Sequence, residues 1–246
     1  MLAPLALIAL GLCAESAEAK PARSLPARYA KAPYSKMSLS VGHPNAGYQV
    51  RAKKLKKGPG LEILPKSRDR VYGHPSLVLM LQRSAKQIAR SYPGSTLTVG
   101  DLSFAEGGPL VGHASHQSGR DADVLFYVRD AKGRITKTPG FVAFGGDGKA
   151  RDGSGLVFDD ERNWKLVQAW AKDHRAGLAY VFISRPLRAR LLAWGSKHAT
   201  KDDIAKVAAL FVQPDDSEPH DDHYHVRIRC PADHDDICKE QSRASR

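Results

Sequence analysis

Hydrophobic residues recur at three- and four-residue spacing behind His74-Pro75: Leu77, Leu81, Ala85, Ile88 and Ala89. That period puts them on one face of a helix, which should stop near Tyr92-Pro93-Gly94 with His74 at its start. Residues 96–104 alternate instead and carry β-branched side chains, which predicts a strand. After the glycines around Gly107, Gly108 and Gly112, residues 123–128 predict a second strand. Asp159 or Asp160 can cap a helix running to about His174, with Trp164, Val167 and Ala171 turned toward a core. A short apolar strand over residues 179–184 follows, then a helix opened by Pro186 and carried through Leu191 and Trp194. A helical stretch from 202 to about 210 and a last strand over 222–229 complete the pattern. Residues 20–70, rich in Lys, Arg, Pro and Gly, show no sustained helical period and read as an extended arm or a loop-rich lead-in. Strands and helices are segregated rather than strictly alternating. The expected fold class is therefore α+β, a single domain with a central, largely antiparallel sheet flanked by helices.

With 246 residues, 42% hydrophobic and 26% charged, the chain is long enough for a sizeable core and too mixed for a fibrous or disordered protein. Residues 2–12 are apolar and lead to Ala17-Glu18-Ala19, the small-x-small pattern a signal peptidase reads, so residues 1–19 are expected to be a removed export signal. No later segment approaches the roughly 20 apolar residues of a transmembrane helix, and no stable membrane insertion is expected. Removing residues 1–19 takes away two acids and no base, which moves the net charge from +12 to +14. Such a surface favours an anionic partner. Nucleic acid is not the expected one: the Lys-rich stretch at 51–57 lacks interleaved aromatics, and the chain is read as exported. Without Cys13, Cys230 and Cys238 remain, and a pair in an oxidising compartment predicts a local disulfide that pins the tail.

Histidine is the unevenly spread residue. Of ten, His113 and His116 fall within four positions, and His220, His223 and His225 within six. Catalytic zinc takes three imidazole or carboxylate ligands and keeps one position open. On a strand, His223 and His225 share one face, with Tyr224 and Val226 on the other. Asp123 begins a strand, and His116 precedes it across a Gly-containing bend that could fold it back toward the carboxylate. Two adjacent strands would gather His116, Asp123 and one or both of His223 and His225, leaving a histidine to handle protons. Asp121, Asp221 and Asp222 read as solvated carboxylates or as groups orienting a ligand, with Asp221 on the face of His223. His43, His74, His174, His198 and His234 read as ordinary surface or hydrogen-bonded histidines.

The spacing of His116 and Asp123, followed by His223-Tyr224-His225, resembles the signature of the zinc peptidase superfamily that includes lysostaphin, D-alanyl-D-alanine metallopeptidases and the hedgehog domain. Tyr72-Gly-His-Pro75, Gly112-His-Ala-Ser-His-Gln117 and the run from His225 to Asp233 are more narrowly similar to the murein endopeptidase A family, the penicillin-insensitive murein endopeptidases. The resemblance extends over roughly residues 40–238. It implies zinc held by His116, Asp123 and His225, with His223 as catalytic base. His113 and His220 match further histidines lining the metal site, His113 among its metal contacts and His220 beside the base. It also implies that Cys230 and Cys238 pair, while the histidine expected near Arg151-Asp152-Gly153 for a second metal is absent.

The implied organisation is a signal peptide (1–19), a basic arm (20–40), a zinc peptidase domain (41–238) with its metal site on the sheet, and a polar tail (239–246). The implied activity is hydrolysis of D-alanyl–meso-diaminopimelate cross-bridges in peptidoglycan, in the periplasm, with no nucleophile for β-lactams to acylate. The alternatives are a D,D-carboxypeptidase or dipeptidase on the same scaffold, and a noncatalytic wall-binding module that keeps the zinc.

Overall fold

The computed structural model describes residues 24–214 and 217–240. The expected export signal and residues 241–246 lie outside the described residues. The chain divides into two compact units, Met1–Ser35 and Lys36–Arg246. In the first, the rings of Tyr29 and Tyr34 meet edge-on at 4.9 Å.

The second unit is an α+β domain framed by a six-stranded sheet. Its strands are β1 (Leu61–Ile63), β2 (Leu97–Val99), β3 (Asp121–Leu125), β4 (Leu178–Phe182), β5 (Phe211–Val212) and β6 (His223–Ile228), in the order β5-β4-β6-β3-β2-β1. The three inner pairings are antiparallel and the two outer ones parallel. Parallel neighbours need a crossover. Helix α1 (Pro75–Ser91) supplies it between β1 and β2; α3 (Arg185–His198) and α4 (Lys201–Leu210) supply it between β4 and β5. Helix α2 (Asp160–Ala171) precedes β4. Among the described residues no helix is long and apolar enough to cross a membrane.

Local chemistry sets these elements. The His74 side chain caps α1 by accepting from the Ser76 amide at 3.3 Å, and Leu77, Leu81, Ala85 and Ile88 are buried beneath the helix. Asp159 is the cap of α2, its carboxylate accepting from the Arg162 amide at 3.0 Å; the helix stops at Ala171, short of the expected His174. The strand expected over 96–104 ends at Val99. Beyond it the Gly100 amide donates to the Asp123 carbonyl at 2.8 Å while the Asp123 amide donates to the Asp101 carbonyl at 2.9 Å, so the chain bulges and leaves the ladder. The strand expected over 123–128 is displaced toward the N-terminus. Asn163 takes the Tyr127 amide (3.0 Å) and carbonyl (2.7 Å) onto its side chain, which bends the chain out of the sheet after Leu125. Residues 39–63 are more ordered than a lead-in: Leu39–His43 and Ala46–Val50 form a hairpin, Leu61–Ile63 is the edge strand, and Leu55 is fully buried.

Strand β6 divides the sheet into two chemistries because side chains alternate across it. Tyr224, Val226 and Ile228 face the core, where the Tyr224 ring meets Phe126 at 4.7 Å and Trp170 at 5.6 Å. On the other face His223, His225 and Arg227 stand opposite Leu125, Asp123 and Asp121 of β3. Cys230 and Cys238 are disulfide-bonded as expected. The tail they hold is tied to the hairpin through the Gly42 amide, which donates to the Ile237 carbonyl at 2.8 Å.

Candidate metal centre

Asp123 sits at the middle of the polar face, buried, and four imidazoles surround it. His116 Nε2, His223 Nε2 and His225 Nδ1 lie 3.3, 3.4 and 3.8 Å from its Oδ1, and His113 Nδ1 lies 3.6 Å from its Oδ2. His225 is the register partner of Asp123, so ordinary antiparallel pairing delivers that contact. His116 arrives by the bend the sequence suggested. The bend runs through Gly119 at φ 72°, where a Cβ would overlap the Gln49 side chain, and His116 itself takes φ 71°. A left-handed backbone at a non-glycine residue costs on the order of 1 kcal/mol and tends to be kept where position matters.

Each imidazole is tied on its outer nitrogen. His116 Nδ1 contacts the Leu102 carbonyl at 2.6 Å, His225 Nε2 contacts Asp121 Oδ1 at 2.8 Å, His223 Nδ1 contacts Asp222 Oδ1 at 2.5 Å, and His113 Nε2 contacts Asp101 Oδ2 at 2.9 Å. An acceptor on the outer nitrogen fixes the proton there and turns the inner lone pair toward Asp123, the arrangement that orients metal-binding histidines. The inner atoms are correspondingly orphaned: His116 Nε2 and both Asp123 carboxylate oxygens are buried without a hydrogen-bond partner. Buried acceptors left this way are costly unless a cation or proton meets them. His113, His116 and Asp123 each present a ligand atom, all within 4.8 Å of one another, so this group could hold a metal ion. His225 stands at the margin of that trio.

Electrostatics follow the same layout. Burial would raise the Asp123 carboxyl, but the charges of His116 and His223 outweigh it and hold the group well below the usual carboxylate range. Burial opposes protonation of His223 too, and is overridden by Asp123 and Asp222, which lift its pKa to about 10. His220 goes the other way. Burial, then the neighbouring His225 and His223, push it down to about 3, so it is neutral at pH 7 and cannot supply a cation. Its ring stacks on Phe182 at 5.6 Å and lies 5.4 Å from His223, while Nδ1 faces Gln213 Oε1 at 3.3 Å. An open cleft of about 870 Å³ spreads over these histidines, walled by Phe141, Phe182 and Lys66.

The six residues singled out from sequence, His113, His116, Asp123, His220, His223 and His225, thus line one cleft. Asp222, rather than Asp221, holds His223. The residue precedes β6, so strand parity does not govern it, and Asp221 spends its carbonyl on the Phe144 amide at 2.8 Å. Asp121 is not solvated: it is wholly buried between His225 and Arg227. Asp101 was not foreseen at all. It anchors His113 and is itself held by Arg70 at 3.0 Å.

The sequence model of the penicillin-insensitive murein endopeptidase family matches residues 40–246. The chain belongs to that family. Members of the family named penicillin-insensitive murein endopeptidase include a Haemophilus influenzae protein, 29% identical over 206 residues that cover 78% of this chain and 64% of that one. An Escherichia coli O1:K1 protein of the same name is 29% identical over 201 residues, 79% of this chain and 67% of its own length. The chain thus spans about two thirds of the length of these murein endopeptidase relatives.

Proposed function

We propose that the protein is a zinc-dependent peptidoglycan endopeptidase that hydrolyses D-alanyl–meso-diaminopimelate cross-bridges in the periplasm. The observation that carries this reading is a set of four imidazoles, each tied on its outer nitrogen, around a buried carboxylate whose two oxygens, like His116 Nε2, have no hydrogen-bond partner. Such a donor set of nitrogen and carboxylate oxygen suits zinc. His116, Asp123 and His225 would hold the ion, with His113 in reach on the Oδ2 side of Asp123. Bound zinc would polarise the scissile carbonyl, bring the pKa of a water toward neutrality and offset the Asp123 charge that otherwise keeps His223 protonated.

The chain's own residues then have separable tasks. His223, its Nδ1 held by Asp222, presents Nε2 to the cleft and takes the proton of the attacking water. Neutral His220 lies beside it, its Nδ1–H turned to Gln213 Oε1, and its Nε2 lone pair can take a proton and relay it toward the leaving amine. Phe182 and Phe141 form apolar walls of the cleft beside the reacting groups. The reading requires no acylated serine or cysteine, so β-lactams would find no nucleophile to block. A basic surface, +12 by formal count, suits an anionic wall polymer.

The test is metal content together with product masses from purified muropeptide dimers. His223→Ala should retain zinc and lose dimer cleavage by at least about a hundredfold, whereas His116→Ala and Asp123→Ala should lose both. Undiminished cleavage by metal-stripped protein would end the zinc reading. Trimming of monomeric pentapeptide in place of dimers would point to a carboxypeptidase, and sacculus binding with no released peptide to a noncatalytic wall-binding module.

A further inference from the structure

Lys66 has no place in the chemistry described so far, yet it lines the cleft. Among the described residues, Lys66 and Arg227 are the Lys and Arg side chains that do so. Arg227 is committed to Asp121, its Nε donating to Oδ1 at 2.5 Å. The Lys66 ammonium instead stands 4.3 Å from the centre of the Phe141 ring, and that ring meets His223 edge-on at 5.1 Å. A cation over an aromatic face is held in direction without being neutralised. The mount is firm. The Leu64 amide donates to the Val99 carbonyl at 2.8 Å, Arg70 donates to the Lys66 carbonyl at 2.8 Å, and Phe141 packs over Gly100, where a Cβ would come within 3.1 Å of the ring. Among the described residues the cleft otherwise carries Asp101, Asp123, Glu218 and Asp222, so an ammonium with no carboxylate partner there stands out against an acidic lining, one ring away from His223.

We propose that Lys66 is a specificity residue that binds the carboxylate on the carbon bearing the scissile amide nitrogen. The inference deepens the endopeptidase reading and rests on it. In a D-alanyl–meso-diaminopimelate bridge the leaving amine belongs to an amino acid centre whose own carboxylate is free, a few bonds from the cleaved carbonyl. An ammonium beside the group that moves protons can pair with that carboxylate and fix the side on which the leaving amine departs. Bridges whose leaving centre is amidated offer no anion there and should be poorer substrates.

The experiment uses the full-length, zinc-loaded protein and two matched probes: stem peptides and dimers with the leaving-centre carboxylate either free or converted to the primary amide. By calorimetry, wild type should bind the free-carboxylate stem about tenfold more tightly than the amide. Lys66→Met, which keeps the unbranched stem over Phe141, should lose that preference, and Lys66→Arg should retain most of it. In cleavage the same preference should appear in kcat/KM, with Lys66→Met raising KM for the free-carboxylate dimer and leaving the amidated one unchanged. Equal affinity of wild type for the two stems would overturn the inference, as would a Lys66→Met loss that is the same for both. Failure of wild type to cleave either dimer would instead overturn the endopeptidase reading, while the binding comparison still decides the role of Lys66.

Discussion

Replacing Asp121 by Asn tests whether the buried carboxylate beneath the site both stabilises the sheet and sets the proton on His225. Asp121 is fully buried on β3 and its Oδ1 accepts from Arg227 Nε at 2.5 Å and from His225 Nε2 at 2.8 Å. Asn keeps the shape and one acceptor oxygen but removes the charge. Removing one partner of a buried ion pair costs about 3–5 kcal/mol, and the retained oxygen argues for the lower end, about 3 kcal/mol. For a domain of this size 1 kcal/mol moves Tm by roughly 2–4 °C, so the metal-free variant should melt roughly 6–12 °C below wild type. Burial opposes ionisation of Asp121, but the Arg227 charge, then the His225 hydrogen bond, hold its carboxyl far below the usual range. A depressed carboxyl contributes stability in full above its unfolded value near 4 and loses it only as pH falls below that. The part of the gap that comes from the Asp121 carboxyl's own titration should therefore be constant from about pH 5 to 8. The amide nitrogen of Asn can also donate to His225 Nε2, which moves the histidine proton to Nδ1 and points it at Asp123. Zinc affinity measured by competition with a chelator should drop about 10–100-fold. A melting point within about 1 °C of wild type with unchanged zinc affinity would refute the assignment.

Gly195 on α3 lies where a Cβ would come 2.3 to 2.8 Å from Trp164 ring atoms of α2, so Gly195→Ala should lose about 1–3 kcal/mol in urea unfolding without altering zinc affinity. His74, distant from the metal ligands in the chain, is pushed down to about 4 by burial and then by His234, so it is neutral in the fold and protonates in the unfolded chain below about 6.5. Its contribution to stability is therefore lost as pH falls from about 6.5 toward 4, by roughly 2.5 kcal/mol at pH 4.5. His74→Gln should flatten that limb of the stability profile; parallel limbs in variant and wild type would remove His74 from the account.

Helices were the most legible part of the fold. The three- and four-residue period at Leu77, Leu81, Ala85 and Ile88 encodes a buried stripe directly, and His74-Pro75 marks its start. Strand bounds were less legible because they depend on partners outside the strand. Nothing in the run from Thr96 to Phe104 announces that Gly100 will donate to the Asp123 carbonyl and break the ladder. Likewise the apolar run through Tyr127 continues as a strand pattern, and only the side chain of Asn163, far along the chain, turns it away. The hairpin over 39–50 was hidden for a different reason: short strands rich in Gly and polar residues carry little alternation, and their ordering comes from pairing with each other and with the tail near Cys238.

The site divides along the same line. Inner donors were legible because two local geometries produce them: strand parity at His223 and His225, and a glycine bend between His116 and Asp123. The outer acceptors were not, since each comes from a different piece of chain: Asp101 and the Leu102 carbonyl from the segment released after β2, Asp121 from β3, and Asp222 from the approach to β6. Asp121 and Asp222 were both open to reading as ligand-orienting carboxylates, but only Asp121 had a geometric signal, because it shares the parity of Asp123 and must fall on the same face of β3. For the others, irregular backbone is the means of arrival. A segment that had stayed in the ladder from Val99 to Phe104 would have hidden alternate carbonyls in strand pairing, leaving none for His116 and no Asp101 beneath His113. The break in β2 that defeats the strand pattern is thus what supplies two of the four outer anchors, and the departure from regular structure and the assembly of the centre have one cause.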